Sequence, residues 1–136
     1  MAYINLDELA GLSIVRTHVC FPPAADESID YHDWAPSTCE LLAVRAMMVT
    51  LPTSGPGTYI LTVDKYPGAP GASLLSTPTF DLDTLASPNV PELIPLTAVP
   101  ADLQFATGER YRINISSTPA FTGGSGVYIE VLLRLV

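Results

Sequence analysis

The stretch "TCELLAVRAMMVTLP", Thr38 to Pro52, decides the fold. Its Leu, Ala, Met and Arg are good helix formers, so composition alone permits a helix. Its surroundings favour a strand. Pro36 precedes it, Pro52 closes it, and its second half is the β-favouring "MMVTL". The chain continues as "TSGPGTYILTVDKY", where a Gly-Pro turn leads into a segment with Tyr59, Leu61 and Val63 alternating onto one face. Two adjacent strands joined through Ser54-Gly55-Pro56-Gly57 are the expected hairpin.

The rest of the chain follows the same rhythm. Thirteen prolines and nine glycines leave apolar segments mostly too short for helices and rich in Val, Ile, Thr and Tyr. "LSIVRTHVC" alternates, with Ser13, Val15, Thr17 and Val19 on one face and Leu12, Ile14, Arg16 and His18 on the other; the pattern leaves open which face is buried. Short extended pieces are expected at Ser73–Ser76 and Pro78–Leu82. Prolines 88, 91, 95 and 100 then predict a loop with one edge strand near Glu92–Leu96. "ERYRINISS" places Tyr111, Ile113 and Ile115 inward and Arg110, Arg112 and Asn114 outward. "TPAFTGGSG" reads as the next turn, with "GGSG" in a hairpin. The closing "VYIEVLLRLV" has an apolar face of Val127, Ile129, Val131, Leu133 and Leu135, which suits a strand central in its sheet or held by a partner. Roughly eight short strands between regular turn signals indicate an all-β fold, a two-sheet antiparallel β-sandwich of jelly-roll topology. It spans residues 12–136 and follows a short N-terminal arm at residues 1–11.

Composition narrows the partners. The 136 residues suit one domain, and 15% charged residues is well below the roughly 25% of a typical soluble domain. The surface must therefore carry Ser, Thr, Pro and uncharged apolar groups, which suggests protein partners. A net charge of -8 argues against nucleic acid and against an anionic membrane surface. The opening "MAYINLDELAGLSIV" lacks the basic and apolar regions of a signal peptide, and no apolar run approaches the roughly 18 residues of a membrane span, so the chain is expected to be made and kept in the cytosol, or released by lysis.

Candidate chemistry concentrates in "DESIDYHDW", Asp26 to Trp34, with four acids, one histidine and two aromatics. Asp26, Glu27, Ser28, Asp30 and Asp33 supply the oxygens that calcium favours, but the glycine and spacing of an EF-hand are missing. A transition metal on His32 with Asp30 or Asp33 lacks a second histidine nearby in sequence. Only His18 and His32 could serve a nucleophile as base, there is no G-x-S-x-G elbow, and "GPGTY" and "GGSG" open strands rather than phosphate-binding helices. Asp81 and Asp83 form a possible carboxylate pair of the kind common on solvated surfaces. Cys20 and Cys39 either close the acidic segment as a disulfide, worth roughly 3 kcal/mol in the chain-entropy model, or are buried thiols at strand ends. The stretch thus reads as a semi-rigid contact loop over Asp26–Pro36, with no catalytic residue, metal or cofactor. Tyr31, His32, Asp33, Trp34 and Phe21 are its candidate contacts, joined by Tyr3, Ile4, Leu6 and Leu9 of the N-terminal arm.

Three further elements carry a resemblance: "ELLAVRAMMVTLPTSGPGTYILTVDKYPGAPGASLLSTPTFDLD", "LTAVPADLQFATGERYRINISS" and "GGSGVYIEVLLRLV". An apolar strand, a Thr/Gly/Pro turn into a "TVD" strand, a short "GASLL", a "FDLD" piece, a "GERYRI" strand and a final Val/Leu strand follow one another. Over roughly residues 38 to 136 this resembles the jelly-roll decoration (cement) and head-fibre proteins of tailed bacteriophages. The Pro-rich insert "ASPNVPELIPLTAVP" departs from that pattern. The resemblance implies a virion protein on the capsid exterior, made in the host cytoplasm. It would be a homotrimer on three-fold or quasi-three-fold positions, with the major capsid protein as partner. The alternatives are a carbohydrate- or receptor-binding module of a tail or head fibre and a head-to-tail connector subunit.

Overall fold

A computed structural model describes residues 11–20, 27–52, 59–66, 72–117 and 123–136. The chain forms β1 (Ser13–Cys20), β2 (Ser28–Trp34), β3 (Cys39–Pro52), β4 (Tyr59–Tyr66), β5 (Ala72–Ser73), β6 (Phe80–Asp81), β7 (Glu92–Ile94), β8 (Gln104–Phe105), β9 (Arg110–Ser117) and β10 (Gly123–Leu135). Two single 3-10 turns, Leu82–Thr84 and Pro100–Leu103, interrupt the Pro-rich region. Sheet A has the order β1-β10-β3-β7, with β8 also on β3; sheet B has the order β2-β9-β4-β5, with β6 also on β4.

The ladders are nested. β1 pairs with β10, β2 with β9, β3 with β7 and β8, and β4 with β5 and β6, all antiparallel. The first half of the chain therefore pairs in reverse order with the second half while alternating between sheets. That is the jelly-roll arrangement expected from the sequence. The C-terminal β10 is central, between β1 and β3, and β7 is the short edge strand foreseen near Glu92.

Cys39–Pro52 is a strand, and its helix-like look has a local cause. Along the β10 ladder Leu132 faces Ala43 but Leu133 faces Leu41, so Leu42 is an extra residue, a β-bulge. Leu41 and Val44 are consequently both buried although three residues apart, a spacing that mimics one face of a helix. The inner faces of the two sheets bury Leu41, Val44, Met48, Tyr59, Leu61, Tyr111, Ile113, Ile115, Ile129 and Leu133 as one core. Each such side chain contributes roughly 1.5–3 kcal/mol on removal from water.

Several expectations need correction. β3 and β4 lie in different sheets, so no hairpin joins them, and Ser54–Gly57 themselves lie outside the described residues. "GGSG" is likewise not a hairpin turn, because β9 and β10 also belong to different sheets and Gly123–Gly126 are part of β10. In a sandwich whose ladders join distant segments, a Gly/Pro-rich crossover and a hairpin turn look alike in composition. "DESIDYHDW" is not a loop: Ser28–Trp34 pairs residue for residue with β9. Its charge density concealed a period-2 pattern in which Ile29, Tyr31 and Asp33 are the less exposed positions.

Candidate functional site

Three polar or apolar arrangements stand out, and alternation along the strands assigns each residue to one of them. The first lies on the flank between the sheets. β1 is the edge of sheet A and β2 the edge of sheet B, and both send polar side chains inward there. Arg16 Nη1 lies 2.9 Å from Asp33 Oδ1 and donates to the Trp34 carbonyl oxygen at 2.6 Å. The Tyr111 hydroxyl sits 2.7 Å from His18 Nε2 and donates to Asp33 Oδ2 at 3.3 Å. Both bonds are satisfied together when His18 carries its proton on Nε2. Burial lowers the His18 pKa; Asp33 opposes that shift and Arg16 reinforces it. Burial first, then the Asp33 charge, pushes the Tyr111 hydroxyl well above its ordinary value. The result is a neutral His-Tyr pair bridged to a Tyr-Asp-Arg chain, a clasp between two edge strands. Arg16 and His18 are also inward-pointing polar groups on an edge strand, a feature that discourages pairing with another chain.

The second arrangement is the outer face of sheet A. The β1 face left open by the sequence is now assigned: Val15, Thr17 and Val19 point out, whereas Ile14, Arg16 and His18 point in and Cys20 is buried. The register builds rows across the sheet. Val15–Leu132–Ala43 and Val19–Tyr128–Met47 flank Thr17–Glu130–Arg45–Leu93. Leu93 is 69% exposed, and Val15, Val19, Leu42 and Val49 are exposed around it. The charges on this face cancel in place, because Arg45 pairs with Glu130 and Arg134 with Glu40. Shallow depressions on either side of the Arg45–Glu130 pair are lined by Val15, Ala43, Leu93 and Leu132, and by Met47, Pro91 and Tyr128. The face therefore offers apolar surface with little net charge.

The third arrangement is the outer face of sheet B, where the opposite chemistry prevails. Arg110 of β9 faces Trp34 of β2 on one side and Tyr66 of β4 on the other. Its guanidinium lies 5.3 Å from each ring centroid. The next row is His32–Arg112–Asp64, in which Arg112 donates to Asp64 Oδ2 at 2.7 Å and lies over the Tyr66 ring. Beyond it Asn114 donates to Asp30 Oδ1 at 2.7 Å.

The sequence-predicted contacts are dispersed among these places. Tyr31 packs against the core, Asp33 belongs to the flank clasp, and His32 and Trp34 point outward on sheet B. Tyr3, Ile4, Leu6, Leu9 and Phe21 lie outside the described residues. The acids of the stretch likewise fail to converge: Asp30 and Asp33 occupy opposite faces of β2, and among the described residues no group of three His, Cys, Asp or Glu side chains is gathered as a metal would need. Sequence reasoning missed the row of Trp34, Arg110 and Tyr66. The outward alternation of Arg110 was legible, but its two cross-strand partners required the register.

Cys20 and Cys39 are free and buried. Cys20 faces Val127 on β10 and Cys39 faces Leu135 at its other end, eight positions away. At about 3.3 Å per residue that separation is roughly 26 Å along the strand, far beyond the roughly 7 Å that a disulfide can span between Cα atoms. The thiol alternative of the sequence reading is the one realised. No protein-family model, curated protein or solved structure matches the chain.

Proposed function

We propose that this chain is a non-enzymatic structural protein of a bacteriophage virion. It decorates and stabilises the capsid exterior, as a homotrimer on three-fold or quasi-three-fold sites of the major capsid protein. The observation that carries the reading is the outer face of sheet A, where exposed Val15, Val19, Leu93 and their neighbours surround charges already paired with each other. Exposed apolar side chains gathered around self-paired charges support a protein contact rather than a solvated face. Its occupant in this reading is the shell. One face repeated on every copy suits a lattice, where several weak contacts per trimer sum to firm attachment.

The motif order over roughly residues 38 to 136 and the jelly-roll strand order support the same reading. The test is co-sedimentation of the purified chain with expanded empty capsids of its phage. Saturation at a fixed number of copies per capsid is expected. Absence of binding across the accessible range of salt would overturn the proposal.

A further inference from the structure

The chain has six basic side chains other than histidine, and five have a carboxylate partner: Arg16 with Asp33, Arg45 with Glu130, Lys65 with Glu109, Arg112 with Asp64 and Arg134 with Glu40. Arg110 is the sixth. Among the described residues it has no ion-pair partner, although the chain carries a net charge of -8. It is held instead between the rings of Trp34 and Tyr66, 5.3 Å from each centroid. We propose that the Trp34–Arg110–Tyr66 row on the outer face of sheet B binds a carboxylate-bearing saccharide, with Arg110 taking the carboxylate and Trp34 the sugar ring.

Three features favour that ligand. Arg110 is held by cation–π contacts to two rings and by no carboxylate, and the N–H groups of a guanidinium are the donors that engage a carboxylate in two parallel hydrogen bonds. The stacking also fixes the side chain beforehand, so little rotamer freedom is lost on binding. Trp34 is 56% exposed despite its stack, which leaves indole surface free. The negative face of an aromatic ring attracts the weakly positive C–H groups of a pyranose.

The surroundings favour a polar ligand over an ordinary protein epitope. Of the outward positions on β2, β9 and β4, only Ile60 is aliphatic; the others include His32, Asp30, Arg112, Asn114, Thr62 and Asp64. Trp, Tyr and Arg serve as protein hot spots where the surrounding surface packs closely and excludes water, and the exposed aliphatic surface that would do so lies on the opposite face of the sandwich. Polar groups beside an aromatic platform suit the hydroxyls of a sugar. Because the two faces point in opposite directions, a chain seated through sheet A presents this row away from its support. The saccharide site does not depend on what covers sheet A.

Trp34 is the single tryptophan of the chain, so its fluorescence reports on this row alone. The full chain is titrated with a galacturonic-acid trimer, with the neutral galactose trimer and with a short poly-glutamate peptide. The uronate trimer is expected to change Trp34 emission saturably in the millimolar range or below. Arg110→Gln, shown to be folded by its melting curve, should weaken that response by about tenfold or more, the weight of a lost charge-assisted pair. No response to the uronate trimer overturns the proposal. So does an equal response to the neutral trimer, or one unchanged in Arg110→Gln. An equal response to poly-glutamate would assign the row to acidic peptides and overturn the saccharide.

Discussion

Arg16 reaches across the sandwich flank to Asp33, its Nη1 2.9 Å from the Asp33 Oδ1, and so ties the edge strand of one sheet to the edge strand of the other. The same nitrogen donates to the Trp34 carbonyl oxygen at 2.6 Å. The His18 Nε2–Tyr111 hydroxyl contact and the Lys65 bond to the Gln104 carbonyl oxygen also cross between the sheets, whereas the apolar packing around them sets no fixed distance along an open flank. This pair does.

Arg16→Ala should therefore loosen the flank without abolishing the fold. Both side chains are less than a third exposed, and loss of a hydrogen bond to a charged group costs about 1.5–3 kcal/mol. Urea unfolding should show a lower midpoint at unchanged slope, the shift multiplied by that slope amounting to about that loss. A midpoint unchanged from wild type would mean that the pair contributes no more than an exposed ion pair.

His18 should make stability depend on pH. Its folded pKa lies below the ordinary 6.5 because burial disfavours the imidazolium. The unfolded chain then binds more protons than the folded one, so the contribution is complete above pH 6.5 and is lost as the pH falls from there toward the folded value. Thermal melts of wild type and His18→Gln across that window should diverge. The wild type loses more stability on acidification than the variant, even though protonating carboxylates relieves charge repulsion in both. Parallel pH profiles would remove His18 as the titrating group.

The two thiols should be silent in the native state. Burial pushes the Cys20 thiol up to about 12 and raises Cys39, where Arg16 partly offsets it, and only the thiolate reacts. Alkylation at mildly alkaline pH should leave the folded chain unmodified and add two labels in denaturant. Failure to label under denaturing, non-reducing conditions would reveal a disulfide.

Gly126 in β10 leaves no room for a side chain. Its φ is +63°, and a Cβ there would lie 2.7 Å from Val49 Cγ2 and 2.9 Å from Val49 Cβ. Gly126→Ala should cost about 1–3 kcal/mol through the backbone and the collision together. Adding Val49→Ala should recover the collision part, because Val49 is partly solvent-exposed and its own truncation is mild. No recovery would place the whole cost in the backbone.

Much of the fold was legible because inner-face alternation is a local property. Tyr59, Leu61 and Val63, or Tyr111, Ile113 and Ile115, announce a strand and its buried side without reference to any neighbour. Sheet assignment is not local. Nothing in Ser54–Gly57 distinguishes a hairpin from a passage between sheets, and only the reversed ladder of β1 to β4 against the rest of the chain decides it. The same limit governed the candidate site. Asp30, His32, Asp33 and Trp34 looked like one cluster by proximity in sequence, yet the strand period sends Asp33 to the flank and the others to the open face. Arg110 lies 76 positions from Trp34 in sequence, so their stacking was visible only once β2 and β9 were in register. The bulge at Leu42 gave a strand the spacing of a helix, and the flanking prolines still marked it as a strand.

The proposed capsid role places sheet A, and not sheet B, against the shell. The direct measurement is capsid co-sedimentation of two variants beside wild type: Val15→Asp with Leu93→Asp on sheet A, and Trp34→Ala on sheet B. All three positions are exposed, so the variants should fold with melting temperatures close to wild type. The predicted result is that the sheet A variant loses binding by about tenfold or more, as buried unpaired charge demands, while Trp34→Ala binds as wild type does. Full binding by the folded sheet A variant would contradict the account.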